Sequence, residues 1–327
     1  MDVDQAQIKF CENNKLYLQE MLMTLLRAGL VIIGMTGILL AAHGQTVTRS
    51  VPLTGSVTRV YLNGTHELHL TQGEEQYVKL TAPEAMLSRV EARVKGKSLY
   101  LGRDQNWGGS SWGSRSSKAD RSVRFDVQLA HIDAIRVRGS GRAYAGNLDA
   151  DRLKIIMYGS GTVVTRTITA RDVSLEMSGS CDFSGDRINS EEMEMEINGS
   201  GKIDINDLES DEIKIVVSGS GAIKLEKLTA TELDTVINGS GDLELAGRVG
   251  SQYLEINGSG DYQASKLISN DADVEIRGSG NVTISVQKQL TAEISRGADL
   301  VYYGGQELEA DISGRGRSRN AGNIHGN

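Results

Sequence analysis

The stretch "INGSG" occupies positions 197–201 and returns at 237–241, with near-copies "VRGSG" at 137–141, "MYGSG" at 157–161, "VSGSG" at 217–221 and "IRGSG" at 276–280. The first glycine of each GSG is Gly139, Gly159, Gly179, Gly199, Gly219, Gly239, Gly258 or Gly278, at spacings of 20, 20, 20, 20, 20, 19 and 20 residues. Weaker copies, "ISRGAD" at 294–299 and "ISGRGR" at 312–317, extend the series. A fixed period of this size means stacked units, each too small to bury a core alone.

Alternation around the glycines says which residues face inward. Two positions before the anchor stand Val137, Met157, Met177, Ile197, Val217, Ile237, Ile256 and Ile276, and four before stand Ile135, Ile155, Leu175, Met195, Ile215, Thr235, Leu254 and Val274. Four after it stand Ala143, Val163, Phe183, Ile203, Ile223, Leu243, Tyr262 and Val282. Leu148, Ile168, Ile188, Leu208, Leu228 and Leu267 mark a further inward column. Apolar residues at period two over short segments are strands. A strand-only unit that stacks on itself at about 4.8 Å per coil predicts an all-β, right-handed parallel β-helix with about 20 residues per coil. Roughly ten coils are expected from the series. In this frame GSG is a corner: both glycines point inward where two sheets meet, and the serine between them points out. Asn198, Asn238 and Asn257, just before the anchor, suit such a corner and can form ladders between coils. A left-handed β-helix, with 18 residues per coil, and a Ca²⁺-binding nonapeptide solenoid both fit the spacing less well.

Composition limits the function classes. The net charge of −8 carries no clustered basic footprint, so no nucleic-acid partner is expected. Residues 22–42 are apolar apart from Thr24, Arg27 and Thr36 and end in "LLAAHGQT". That pattern reads as a secretory signal cut before Gln45, so residues 1–44 are assigned as leader and signal peptide, with Met21 or Met23 as a candidate start. The uncharged run 28–42 is shorter than the roughly 20 residues of a membrane span, so contact with a membrane is expected only through the cleaved signal. With Cys11 in the leader, Cys181 is the single cysteine of the mature chain and no disulfide within it is expected. An exported protein of the periplasm or the cell surface and outer membrane follows.

Residues 45–130 show no 20-residue beat, although "VTRVYLNG", "HELHLTQG", "QYVKLTAP", "SLYLG" and "VRFDVQL" are strand-like and separated by turn signals. They are expected to form an irregular lead-in or cap. Within them, 104–120 reads "DQNWGGSSWGSRSSKAD", a Gly/Ser loop that carries both tryptophans. Trp107 and Trp112 could stack on sugar rings, or pack on the side of the solenoid. Regular repeats are assigned to 131–317 and a basic, glycine-rich tail to 318–327, which could blunt the open strand edges or leave them for association between copies.

The GSG run, the strand-rich lead-in, the signal ending before Gln and the segment "QLAHIDAIRVRGSG" together resemble the DUF2807 family, secreted proteins described as auto-transporter adhesins with a head GIN domain and found mostly in Bacteroidetes. The likeness spans roughly residues 50–316. It implies a β-helix and a surface-adhesion role, and brings no catalytic or binding residues with it. Many members carry fewer GSG turns, and the lead segment often has Pro where this chain has Ala130-His131.

Catalytic and metal chemistry is weighed against this. Glu176 and Glu196, and likewise Glu255 and Glu275, are outward on adjacent coils, near the carboxyl separation of a retaining glycosidase. A solvated acidic face is the preferred explanation, since no Arg or His is expected nearby to complete a site. His66 and His69 fall on opposite faces of a strand, and His131 and His325 stand apart, so no metal site is expected. Cys181 replaces the second glycine of one GSG and reads as a buried filler. Five Asn-x-Ser/Thr matches, at Asn63, Asn198, Asn238, Asn257 and Asn281, follow from glycine-rich corners. The reading is a non-enzymatic exported β-helix without cofactor or metal, an adhesin or binding protein for a glycan or cell-surface component and a candidate homo-oligomer. The alternatives are a periplasmic structural protein of the envelope and a polysaccharide-cleaving enzyme.

Overall fold

The computed structural model describes residues 46–51, 53, 55–102, 122–304 and 308–324, Leu308 for its backbone alone. All of them fall in one compact unit, Gly44–Asn327. The unit is an all-β solenoid of about nine turns with about 20 residues per coil, one turn short of the expected ten. In chain order the strands are β1 (Thr46–Val51), β2 (Arg59–Gly64), β3 (Glu67–Gln72), β4 (Tyr77–Pro83), β5 (Glu91–Lys95), β6 (Ser98–Gly102) and β7 (Arg124–Leu129). The regular array follows as β8 (Ala134–Gly139), β9 (Arg142–Ala145), β10 (Leu148–Gly159), β11 (Thr162–Gly179), β12 (Asp182–Gly199), β13 (Lys202–Gly219), β14 (Ala222–Gly239), β15 (Asp242–Gly258), β16 (Asp261–Gly278) and β17 (Asn281–Arg296). The last strands are β18 (Asp299–Tyr303), β19 (Leu308–Ile312) and β20 (Arg317–Asn320).

Strand β13 shows how a coil closes. Its buried positions are Ile203, Ile205, Leu208, Ser210, Ile213, Ile215 and Val217. The alternation of two slips to three after Ile205 and again after Ser210, and two adjacent outward residues at each slip turn the chain. The ladder to β12 skips at the same places, from Gly185↔Ile205 to Arg187↔Asp207 and from Ser190↔Ser210 to Glu192↔Glu212. With the GSG corner these bends give three faces. Inward columns of Leu, Ile, Val and Met run the length of the array, and each fully buried side chain stabilises it by about 1.5–3 kcal/mol.

The corners refine the expected role of GSG. From Gly139 to Gly258 the first glycine has φ between +106° and +145°, a region where a Cβ is disfavoured. A Cβ there would stand 2.1–2.7 Å from the carbonyl oxygen of the glycine one coil earlier. The first glycine therefore faces along the stack into backbone, and the second is the one that faces the core: a Cβ on Gly161 would lie 2.8 Å from Val137 Cγ1. Expecting both to point inward was incorrect, because the positive φ breaks the alternation at the anchor. The serine between them continues the ladder, with Ser160 N–H donating to Gly139 O at 2.8 Å and Ser180 N–H to Gly159 O at 2.7 Å.

The first half builds the same cross-section out of chain order. β2 and β3 lie directly against β8 and β9, with Gly64 opposite Gly139 and Glu67 opposite Arg142. β6 and β7 then stack on the other side of β2 and β3. The chain thus lays one coil, steps back to build a terminal coil, and steps over the first to start the array. Antiparallel strands finish this end: β5 on β6, β4 on β7, and β1 on β4. At the other end the ladder runs past 317, since β20 pairs with β18 from Asp299↔Arg317 to Tyr302↔Asn320. Residues 317–320 are the last strand, and not part of a separate tail.

Candidate functional site

Outward columns cross coils, so residues far apart in sequence become neighbours. One column runs Tyr100, Tyr61, Arg136, Ile156, Glu176, Glu196 by direct strand register. At the capped end its members make specific contacts. The rings of Tyr61 and Tyr100 meet edge to face with centroids 5.0 Å apart. The Arg136 guanidinium carbon lies 4.9 Å from the Tyr61 ring centre, a cation–π arrangement. Arg136 Nε is buried and has no hydrogen-bond partner among the described residues. Tyr158, two positions on from Ile156 on the same face, is 41 % exposed.

Across the GSG corner the next face continues the aromatic surface. Tyr144 is 37 % exposed, and its ring centre is 5.1 Å from that of His69. His69 in turn bonds Glu67. Tyr144 and Tyr158 are two of the three large apolar side chains exposed among the described residues. The sequence segment 103–121 leaves from Gly102 and returns at Ser122, beside the same corner. Trp107 and Trp112 lie within it, outside the described residues.

Farther along the same column the chemistry becomes acidic and self-paired. Glu255 and Glu275 are adjacent by register, and Arg277 bonds both, its Nη1 lying 2.6 Å from Glu255 Oε1. Lys154 Nζ lies 2.5 Å from Glu176 Oε1. Expecting no Arg or His near these carboxylates was therefore incorrect for Arg277. It sits two residues on from Glu275, so both side chains leave the same face, and its length reaches the preceding coil. Nearby, burial and the charges of Glu275, Glu255 and Asp273 push the Tyr253 hydroxyl pKa upward.

A groove of about 730 Å³ follows the bend before this face, floored by Leu153, Val173 and Met193. Its charged walls pair with one another, as in Arg152–Asp172 at 2.7 Å. Among the described residues no group of three or more His, Cys, Asp and Glu is arranged to hold a metal ion. His66 is buried, with its ring edge-to-face on Phe125, and His69 is on the outer face. His131 is exposed and His325 lies outside the described residues. Cys181 is fully buried, and burial pushes its thiol pKa upward. Asn257 Nδ2 donates to Asn238 Oδ1 at 3.1 Å, one rung of an asparagine ladder.

The aromatic column was missed in the sequence because Tyr61 and Tyr100 come from the half without a visible beat. A signal was present: "VYLNGTHELHL" at 60–70 aligns with "IRVRGSGRAYA" at 135–145, anchor glycine on anchor glycine. Residues 99–102, "LYLG", repeat its first part.

This stacked, glycine-cornered solenoid matches the DUF2807 family model, described as "Putative auto-transporter adhesin, head GIN domain", over residues 57–226 and 193–305. The chain belongs to that family. No curated protein matches it significantly. Its fold is similar to a crystal structure of a "putative adhesin" from Parabacteroides distasonis, with 16% identity, TM-score 0.50, and coverage of 86% of this chain and 98% of that one. It is also similar to a "putative adhesin" from Parabacteroides merdae, with 18% identity, TM-score 0.47, and 85% and 97% coverage. A third similar structure is a "Putative lipid binding protein" from Parabacteroides distasonis, with 17% identity, TM-score 0.48, and 85% and 98% coverage.

Proposed function

We propose that this chain is an exported, non-enzymatic binding protein of the adhesin type that engages a glycan or other cell-surface component at its capped end. The observation that carries the reading is the Tyr100–Tyr61–Arg136 column flanked by exposed Tyr158 and Tyr144. Tyrosines supply flat apolar area with a polar tip, which suits sugar rings. The Arg136 guanidinium beside the Tyr61 ring brings a positive charge to this surface, which suits a carboxylate. Family membership supports the adhesin class, and the signal-like segment before Gln45 supports export. Trp107 and Trp112 belong to a segment attached at this corner and are proposed to add to the same surface. The Glu255–Glu275 pair, bonded to Arg277, is assigned to the solvated surface and not to glycan cleavage.

Two measurements test this. Protease added to intact cells is expected to cleave the chain, whereas protection until permeabilisation would favour the envelope-structural reading. On a glycan and matrix array, the double substitution Tyr61→Ala, Tyr158→Ala is expected to weaken binding about ten-fold or more. Binding unchanged by these and by Trp107→Ala, Trp112→Ala would remove the capped end from the reading.

A further inference from the structure

The two ends of the solenoid are finished differently. At one end antiparallel β5, β4 and β1 cover the terminal coil. At the other, among the described residues, β19 pairs only with β17 and β20 only with β18. Among the described residues the outer edges of β19 and β20 carry no strand, so a row of N–H and C=O groups faces outward along the axis. The last inward layer is open as well. Ala310 and Ile312 stack in register on Ala292 and Ile294, which are 1% and 2% exposed, yet Ile312 itself is 41% exposed. Open edges with apolar residues beneath them are templates for pairing.

The charges on these two strands identify the partner. β19 presents Glu309 and Asp311, both exposed. β20 presents Arg317 and Arg319, both exposed, with Ser318 and Asn320 at the alternate, inward positions. β19 runs toward the corner at 313–316 and β20 runs away from it. A two-fold axis through that corner, perpendicular to the stack, would lay β19 of one copy antiparallel on β20 of the other, and the reverse. Acidic side chains then meet basic ones in both pairs, and the apolar layer of each copy covers that of its mate. Head-to-tail stacking matches charge on one face only: Glu309 and Asp311 would meet Arg93 and Lys95 of β5, but Arg317 and Arg319 would meet β1, whose outward residues Thr46, Thr48 and Ser50 carry no acid. It would also fail to close.

We infer that this end is the interface of a symmetric tail-to-tail dimer of this chain, joined by β19–β20 strand pairing. The inference stands on this end alone and does not depend on the ligand proposed at the other.

Sedimentation of the full chain is expected to show a dimer that dissociates on dilution. Glu309→Lys with Asp311→Lys should weaken it at least about ten-fold, and adding Arg317→Glu with Arg319→Glu should restore it. Association through the apolar run 28–42 would ignore these four charges. In a Cys11→Ser background, Arg315→Cys at the corner should form a covalent dimer on oxidation, whereas Ser200→Cys in mid-stack should not. Circular dichroism of each variant reports that the strands are intact. A monomer at every concentration, a dimer indifferent to the charge swap, or species growing beyond two copies would each overturn the inference.

Discussion

The coil made by β13 and the coil made by β6 and β7 share one cross-section but reach it in different ways. In β13 one uninterrupted strand of 18 residues wraps all three faces and each corner falls at a fixed place in the sequence. At the capped end, two strands of five and six residues, separated by 103–123, supply two faces of the terminal coil, and neighbouring coils come from strands out of chain order. The inward columns and the backbone ladder, common to both, define the solenoid. The 20-residue period is one economical way for a chain to satisfy them.

The comparison breaks first at the glycines. Gly219 has φ +124°, and a Cβ there would lie 2.5 Å from Gly199 O, which is backbone and cannot yield. Gly219→Ala is expected to destabilise the array by about 3 kcal/mol or more. Gly96, in the β5–β6 hairpin of the cap, has φ +60° and open space around the position. Gly96→Ala should cost only about 1 kcal/mol, the αL penalty alone. Denaturant titration of the two variants measures the difference, and equal losses would contradict the axial role assigned to the anchor glycine.

A second test concerns the one coil of 19 residues, from Gly239 to Gly258. The missing residue is absorbed at a bend, where the register passes from Leu225↔Leu245 to Leu228↔Gly247. Buried polar groups cross the core from this coil to the next. Tyr262 Oη donates to Gln252 Oε1 at 3.0 Å, and Gln252 Nε2 donates to Ser269 Oγ at 2.8 Å. Burial holds the Tyr262 hydroxyl far above its ordinary pKa, so it stays a neutral donor. Gln252→Leu removes a partner from two buried hydroxyls and should cost about 1–3 kcal/mol in a thermal or denaturant melt. No loss would mean that the network is dispensable filler.

The smallest effect is expected where the phrase gives out. Arg296 takes the anchor place, opposite Gly278, with φ +71°, the one positive-φ residue other than glycine among those described. Arg296→Gly should raise stability by about 0.5 kcal/mol, relief of backbone strain partly offset by chain entropy. A fall in the unfolding midpoint would show that the Arg296 side chain contributes more than its backbone costs.

The regular array was legible because stacking makes like positions equivalent, so Ile197, Val217 and Ile237 announce themselves as one column. Cys181 could be placed for the same reason, since its neighbours at 161 and 201 are both the second glycine of a GSG. Tyr61, Tyr100 and Arg136 could not be placed together, because their adjacency depends on the order in which coils are laid. That order leaves no period. The bridging position of Arg277 was hidden for a related reason: a long side chain reaches the neighbouring coil, and backbone alternation says only which face it leaves.

By itself, the sequence determined the stack: a repeated run of inward apolar residues can be buried only against its own copies, and glycine is required where a positive φ meets backbone one coil away. The tertiary structure decided which coil ends the stack, how that end is covered, and which outward side chains share a column. Those outcomes rest on strand pairings between residues as far apart as Gly64 and Gly139. Hydrogen bonds between backbones carry no side-chain signature, so the one-dimensional record leaves them unspecified.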